Sequence, residues 1–141
     1  MSTVRQTIIT DALALAATIT AANGYSTTVA KVSEWRDSPV AEAECPAIDI
    51  RDTIDELAED ENWNMHICTL EVRGTVAGAS SMTNVRALAG DIIKAFDGFQ
   101  PSGTSGSRYF SSEFERMTDK NDFGGVLVTI YVYYPANTWR I

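Results

Sequence analysis

Nine uncharged residues near the end of the sequence constrain the fold more than any other feature. From Val126 to Tyr134 the sequence reads VLVTIYVYY, and only Thr129 is neither aliphatic nor aromatic. Such β-branched and aromatic residues favour a strand. Because successive side chains of a strand point to opposite faces, both faces of this strand are apolar. In a domain with a single sheet, the core of the chain covers only one of them.

Alternation divides this strand into two rows. We predict that the aliphatic row packs under helices of the same chain. The other row contains two tyrosines, which are enriched at subunit interfaces because one end of the side chain is buried and the other is wet. It therefore predicts contact with another protein, unless the hairpin or the last residues of the chain cover it. The rows are Val126, Val128, Ile130 and Val132, and Leu127, Thr129, Tyr131 and Tyr133.

The candidate interface with a neighbouring protein has four residues. Tyr131 and Tyr133 belong to the second row, and Trp139 and Ile141 follow where chains usually fray. Large apolar side chains in that position are expected to be held by a neighbouring subunit or by another protein. Removing residues 136–141 is therefore expected to weaken assembly more than folding.

Periodicity predicts two helices and five strands in the order α-β-β-β-α-β-β. Residues 55–64 are predicted to form a turn or a short helical excursion, and residues 101–107 a flexible loop. We therefore expect an α+β fold for the single domain 1–141, with one mostly antiparallel or mixed sheet and both helices on one face. The predicted helices span 3–22 and about 83–96, and the predicted strands span 27–35, 46–54, 65–78, 108–118 and 126–134.

Alternation also assigns faces in the other strands. Ile48, Ile50 and Ile54 are predicted to share one face of their strand. Phe110 and Phe114 are predicted to share one face of theirs.

Charge excludes a protein whose main task is gripping nucleic acid, because that affinity comes largely from basic side chains. The net charge is −8. The segment from Asp49 to Glu61 contains seven acidic residues and one basic residue, Arg51. No apolar run is long enough to span a membrane. Polar residues interrupt the apolar start of the chain, so we predict no signal peptide and a cytoplasmic protein. The two cysteines, Cys45 and Cys68, are predicted to be reduced thiols.

Few residues suit catalysis. His66 is the only histidine, and its alternation with Cys68 and Leu70 predicts a side chain packed within the sheet. The sequence has no nucleophile elbow and no phosphate-binding loop, and the acidic run lacks the spacing of an EF-hand. We therefore predict no catalytic residue, no cofactor and no metal. The alternative is a small ligand-binding or enzymatic domain that uses His66 and Cys68.

Segments over nearly the whole chain carry a family resemblance. An N-terminal amphipathic helix runs into Asn23-Gly24-Tyr25. The segments that follow are TTVAKVSEW, the Pro-led CPAIDIRD, HICTLEVRG, the helix LAGDIIKAF with an internal Asp, and the closing strand GGVLVTIYVYY. Together they resemble the phage tail terminator proteins, the gpU-like group that caps the tail tube. Residues 101–107 and the final ANTWRI match no assigned part of that pattern.

The resemblance implies a helix-backed α+β sheet and a homohexameric ring. Such a ring binds the last ring of tail tube protein, stops polymerisation and offers a surface to the head–tail connector protein. It implies a place in the tail or neck of the virion after assembly in the host cytoplasm, without membrane contact. The alternative within assembly is a head–tail connector or completion protein in direct contact with the portal side.

The same resemblance gives the acidic run a role. DNA passes through such a ring without specific binding, and an acidic lumen repels phosphate. Asp55, Glu56, Glu59 and Asp60 are the candidate lumen residues. Under this hypothesis, neutralising them slows DNA ejection.

Overall fold

The chain folds into a five-stranded sheet with two helices packed on one face, which confirms the predicted fold class. The computed structural model describes residues 3–57, 65–117 and 122–135. The helices and strands are α1 (Val4–Ala17), β1 (Lys31–Glu34), β2 (Ala47–Leu57), β3 (Met65–Ala77), α2 (Ser81–Phe96), β4 (Gly106–Met117) and β5 (Phe123–Pro135). In the part of the chain thus described, no helix combines the length and apolarity needed to cross a membrane.

The sheet is mixed, with strand order β1-β2-β3-β5-β4. β1 runs parallel to β2, and the other neighbouring pairs are antiparallel. β2 extends to Leu57, so the turn predicted to begin at residue 55 is wrong for residues 55–57. This extension carries Asp55 and Glu56 of the acidic run into the sheet. The rest of the predicted turn, residues 58–64, lies outside the described residues.

Both helices bury their apolar stripe against the same face of the sheet. Thr3 caps the start of α1, because its hydroxyl accepts a hydrogen bond from the backbone N–H of Gln6 at 3.0 Å. α1 packs on β1 and β2, and α2 packs mainly on β3 and β5. The largest fully buried side chains between the layers are Ile8, Ile19, Ile48, Ile50, Leu70, Val72, Val85, Leu88, Ile92, Val128, Val132 and Tyr134.

Two glycines let α2 lie close to the sheet. A Cβ on Gly124 would stand 2.8 Å from the backbone oxygen of Ser81, at the start of α2. A Cβ on Gly74 would stand 2.7 Å from Cδ2 of Leu88. Real Cβ atoms do not approach backbone oxygen so closely, so Gly124 sets the distance between α2 and β5.

Two β-bulges change the predicted faces. In β2 the register shifts between Asp52 and Ile54, so Ile54 points away from the helices and the prediction that it shares a face with Ile48 and Ile50 is wrong. In β4 the register shifts between Tyr109 and Ser111. Phe110 and Phe114 therefore lie on opposite faces, contrary to prediction. In each case the extra residue reverses the alternation of the residues beyond it.

The family-like segments around α2 contact each other. The carboxylate of Asp91 is buried in α2 and accepts hydrogen bonds from the backbone N–H groups of Ser26 and Thr27, at 3.1 Å and 2.7 Å. The ammonium of Lys94 lies 5.0 Å from the ring centroid of Tyr25. The internal Asp of the helix thus has a structural role, because it fixes the segment that leads into β1.

The segment predicted to be a flexible loop is tied to the sheet. The backbone N–H of Ser105 donates to the carbonyl of Tyr133 at 2.7 Å. The hydroxyl of Ser107 donates to the carbonyl of Phe99 at 2.6 Å, and Pro101 is buried. Glycine and serine content predicted mobility here, whereas backbone hydrogen bonds to β5 hold the segment in place.

Candidate protein-interaction surface

The face of the sheet opposite the helices, which we call the open face, is not covered by any described element. Along β5, buried and half-buried residues alternate without interruption from Phe123 to Tyr134. Val126, Val128, Ile130 and Val132 are the buried row under the helices, and Leu127, Thr129, Tyr131 and Tyr133 are the half-buried row on the open face. This confirms the predicted assignment of both rows.

One half of the open face is mostly apolar, and its basic side chain is Arg108, whose guanidinium lies 6.0 Å from the ring centroid of Tyr131. Tyr133 lies beside Ile67 of β3, and Thr69 lies between Tyr131 and Ile54 in the register of β5, β3 and β2. The ring of Phe110 packs on the ring of Tyr131, with centroids 4.8 Å apart. We call the following side chains the apolar patch: Ile54, Met65, Ile67, Phe110, Tyr131 and Tyr133.

The bulges enlarge this patch. Because of them, Ile54 and Phe110 face away from the helices, and their exposed fractions are 50% and 55%. Exposing large apolar side chains next to one another is unfavourable, and such groupings usually mark a binding surface. Sequence reasoning identified the tyrosines but missed Ile54 and Phe110, because a bulge cannot be recognised from the alternation of residues in a sequence.

The other half of the open face is charged. Arg73 lies in register between Asp49 and Leu127, and its guanidinium contacts the carboxylate of Glu71 at 2.7 Å. Glu71 pairs in turn with Arg51 across β2 and β3. A shallow depression of about 510 Å³ lies here above Gly125. Charged groups that compensate one another stay well solvated, so this half has no comparable need for a cover.

The acids of β2 are mostly occupied by partners within the chain. Asp49 accepts hydrogen bonds from Ser33, from the backbone N–H of Arg36 and from Arg51. Asp52 accepts from Arg5 and from the indole of Trp35, both at 2.7 Å. In the sequence these carboxylates belong to an acidic run with few basic residues. In the fold, basic side chains and hydrogen-bond donors from other segments contact them.

Asp55 differs most from its predicted role as a lumen acid. Its carboxylate is only 7% exposed and points toward the helix side of the sheet. It contacts Nδ1 of His66 at 2.7 Å, accepts a hydrogen bond from the hydroxyl of Tyr134, and lies 3.7 Å from Nε of Arg5. We call Asp55, His66, Tyr134 and Arg5 the buried polar cluster. A carboxylate enclosed in this way is not available to repel DNA.

The remaining predicted site residues divide into two groups. Glu56 is exposed and pairs with Ile67 on the open face, at the rim of the apolar patch. Glu59, Asp60, Trp139 and Ile141 lie outside the described residues.

The buried polar cluster joins α1 to the strands β2, β3 and β5. The ring of His66 stacks on the ring of Tyr134 at a centroid distance of 5.0 Å. Burial, together with the hydrogen bond to Asp55, raises the pKa of Tyr134. Burial also raises the pKa of the neighbouring Cys68 thiol to about 12. At neutral pH Cys68 is therefore a thiol.

Metal binding has no support in residues 3–57, 65–117 and 122–135. No group of three or more His, Cys, Asp or Glu side chains in these ranges is arranged to hold an ion.

Sequence reasoning missed the buried polar cluster, although the sequence contains a signal of it. Tyr134 continues the aliphatic row of β5, and a tyrosine at the end of a buried row needs a hydrogen-bond partner.

Comparison with known proteins gives a match in fold. No protein-family model matches the chain, and no curated protein matches it. A solved structure described as "Virion of native gene transfer agent (GTA) particle" contains a chain of similar fold, with a TM-score of 0.55 and 15% sequence identity. The similarity covers 95% of this chain and 92% of that chain. At this level of identity the match establishes the shared fold.

Proposed function

We propose that this protein is a structural component of a phage-like virion, and more specifically a tail terminator. The observation that carries the proposal is the shared fold with a chain of a gene transfer agent virion, over nearly the full length of both. The family-like segments of the sequence give independent support. In this role the protein forms a ring of six that caps the finished tail tube and presents a surface to the head–tail connector.

The open face supports a role in assembly. A ring is built from one heterologous contact repeated around an axis, so each subunit needs two different complementary surfaces. The apolar patch around Tyr131 and Tyr133 is suited to be one of them, because it exposes large apolar side chains and has Glu56 and Arg108 as charged neighbours. The proposed partners are other copies of this chain, the tail tube protein and the head–tail connector protein.

The acidic character of the chain fits a conduit for DNA. The net charge is −8, and acids that lack internal partners disfavour adhesion of phosphate. The internal contacts of Asp55 remove it from the proposed lumen surface. We propose that Glu56, Glu59 and Asp60 face the lumen, and that DNA passes without specific binding.

The test is to inactivate the gene in a producing cell and to examine particles by electron microscopy. A terminator that is missing leaves tails of uncontrolled length, or leaves full heads without attached tails. Complementation with the unaltered gene is the control and should restore tails of uniform length. Tails of normal length that fail to join heads would instead identify a head–tail completion protein. Normal particles would contradict both assignments.

A further inference from the structure

We propose that residues 136–141 of one copy bind the apolar patch of a neighbouring copy. This inference rests on the proposed function for the ring in which the contact repeats. Two members of the patch, Ile54 and Phe110, are strongly exposed, and no described residue covers them. Burying such side chains stabilises an interface by about 25 cal/mol per Å² of apolar surface, so the patch favours an apolar occupant.

The sequence supplies an occupant of matching chemistry. Residues 136–141 read ANTWRI, and they follow directly after Pro135, the last residue of β5. In an extended segment Trp139 and Ile141 project to the same side, because they are two residues apart. Tryptophan is the side chain most enriched among residues that dominate binding energy. Arg140 is the one residue of the segment with a charged side chain.

Length favours a neighbouring copy over the same chain. Pro135 pairs with Met65 at one margin of the patch, and Tyr131 lies four residues back along β5. Four residues of strand correspond to about 13 Å. Six extended residues reach about 20 Å, which is enough to cross the whole patch of a neighbour. A segment that returned over its own sheet would first use about three residues in a reversal, and would reach only the near margin at Tyr133.

A neighbour's segment also completes the geometry of a ring. A heterologous contact joins two different surfaces, and here these are the segment on one subunit and the patch on the next. Each subunit then donates one segment and accepts one.

Two full-length variants test this directly. The segment variant carries Trp139→Ala and Ile141→Ala, and the patch variant carries Tyr133→Glu. Each alone is expected to lose at least about tenfold in self-association, because each removes one side of a central apolar contact. An equimolar mixture is expected to form a heterodimer and nothing larger. The patch variant retains an intact segment, and the segment variant retains an intact patch. These two surfaces can form one contact, which joins one molecule of each variant. Native mass spectrometry measures all three samples.

Controls separate a lost contact from lost folding. Leu127→Glu, in the charged half of the open face, should leave association unchanged. Circular dichroism and thermal unfolding confirm that each variant is folded, and Tyr133→Ser replaces Tyr133→Glu if the glutamate prevents folding.

Three outcomes would overturn the inference. The mixture stays monomeric, or the segment variant associates as tightly as the unaltered protein or more tightly, which would place the segment on its own sheet. The third is an unaltered protein that is monomeric at every concentration. The lengths of tails in particles decide the terminator function separately, so failure of one proposal is distinguishable from failure of the other.

Discussion

Two adjacent tyrosines of β5 show how the two faces of one strand serve different ends. Tyr134 is fully buried on the helix side, and its hydroxyl donates to Asp55. Tyr133 is half-buried on the open face, beside Ile67. The same side chain therefore stabilises the folded chain in one position and offers binding area in the next. The two positions differ because the helices of the chain cover Tyr134, whereas no described element covers Tyr133.

The comparison makes a general expectation for substitutions. Changes on the helix side should lower the free energy of unfolding, whereas changes on the open face should leave it nearly intact and alter association. Neighbouring residues of opposite face provide matched pairs for testing this difference.

Asp55→Ala should have the largest effect and lower the free energy of unfolding by about 3 kcal/mol. It leaves the hydroxyl of Tyr134 and Nδ1 of His66 without their shared partner, and it removes a carboxylate that lies 3.7 Å from Nε of Arg5. Urea denaturation at neutral pH measures the change. Glu56→Ala, one residue further and exposed, is the control and should change stability by less than about 0.5 kcal/mol. Equal effects of the two substitutions would refute a structural role for the buried polar cluster.

Gly124→Ala should lower the free energy of unfolding by about 2 kcal/mol, because the new Cβ forces α2 away from β5. The control is Gly125→Ala on the open face, where the nearest atom to a new Cβ is 3.8 Å away. That distance is ordinary contact, so Gly125→Ala should be tolerated. Thermal unfolding of both variants compares the faces at the same level of the strand, and a tolerated Gly124→Ala would contradict the close packing of α2.

Alkaline pH should weaken the helix-side core through Cys68. Its folded-state pKa, about 12, is above the value of 9.0 for a free thiol, so its contribution is complete below about pH 9 and is lost as pH rises toward 12. Between pH 8 and pH 10 the loss amounts to about 1.4 kcal/mol. Cys68→Ala should lack this part of the pH dependence, whatever its stability at pH 8. Denaturation curves at both pH values measure the free energy of unfolding. The same loss between pH 8 and pH 10 in the variant as in the unaltered protein would argue against a contribution of the buried thiol.

Tyr133→Ala should have the smallest effect on stability, less than about 1 kcal/mol, since the side chain is half-exposed on the open face. Its effect on association should nonetheless be at least about tenfold. Light scattering across a concentration series, with unfolding measured in parallel, gives both quantities. Val132→Ala is the matched control on the helix side and should do the reverse, destabilising the fold by about 2 kcal/mol with association per folded molecule unchanged. A Tyr133→Ala variant that lost stability without losing association would reverse the assignment of the faces.

Local pattern predicted much of the fold. The order of helices and strands, the α+β class and the two rows of β5 follow from spacing alone, because side-chain direction repeats every 3.6 residues in a helix and every two in a strand. The open-face position of Tyr131 and Tyr133 follows from the same rule. The segment at residues 101–107 shows the limit of composition, because its hydrogen bonds to β5 and Phe99 come from residues that only the fold brings near.

The sequence by itself determined which residues seek burial, and that one strand has two apolar faces. Only the tertiary structure decided how much of the second face is apolar, because bulges at Thr53 and Phe110 depend on the register between strands far apart in sequence. It also decided the fate of the acidic run, in which Arg5 reaches Asp52 across 47 positions of the chain and Tyr134 reaches Asp55 across 79. Charge counted along a sequence is a local sum, whereas the field at a carboxylate is set by whatever the fold places within a few ångströms of it.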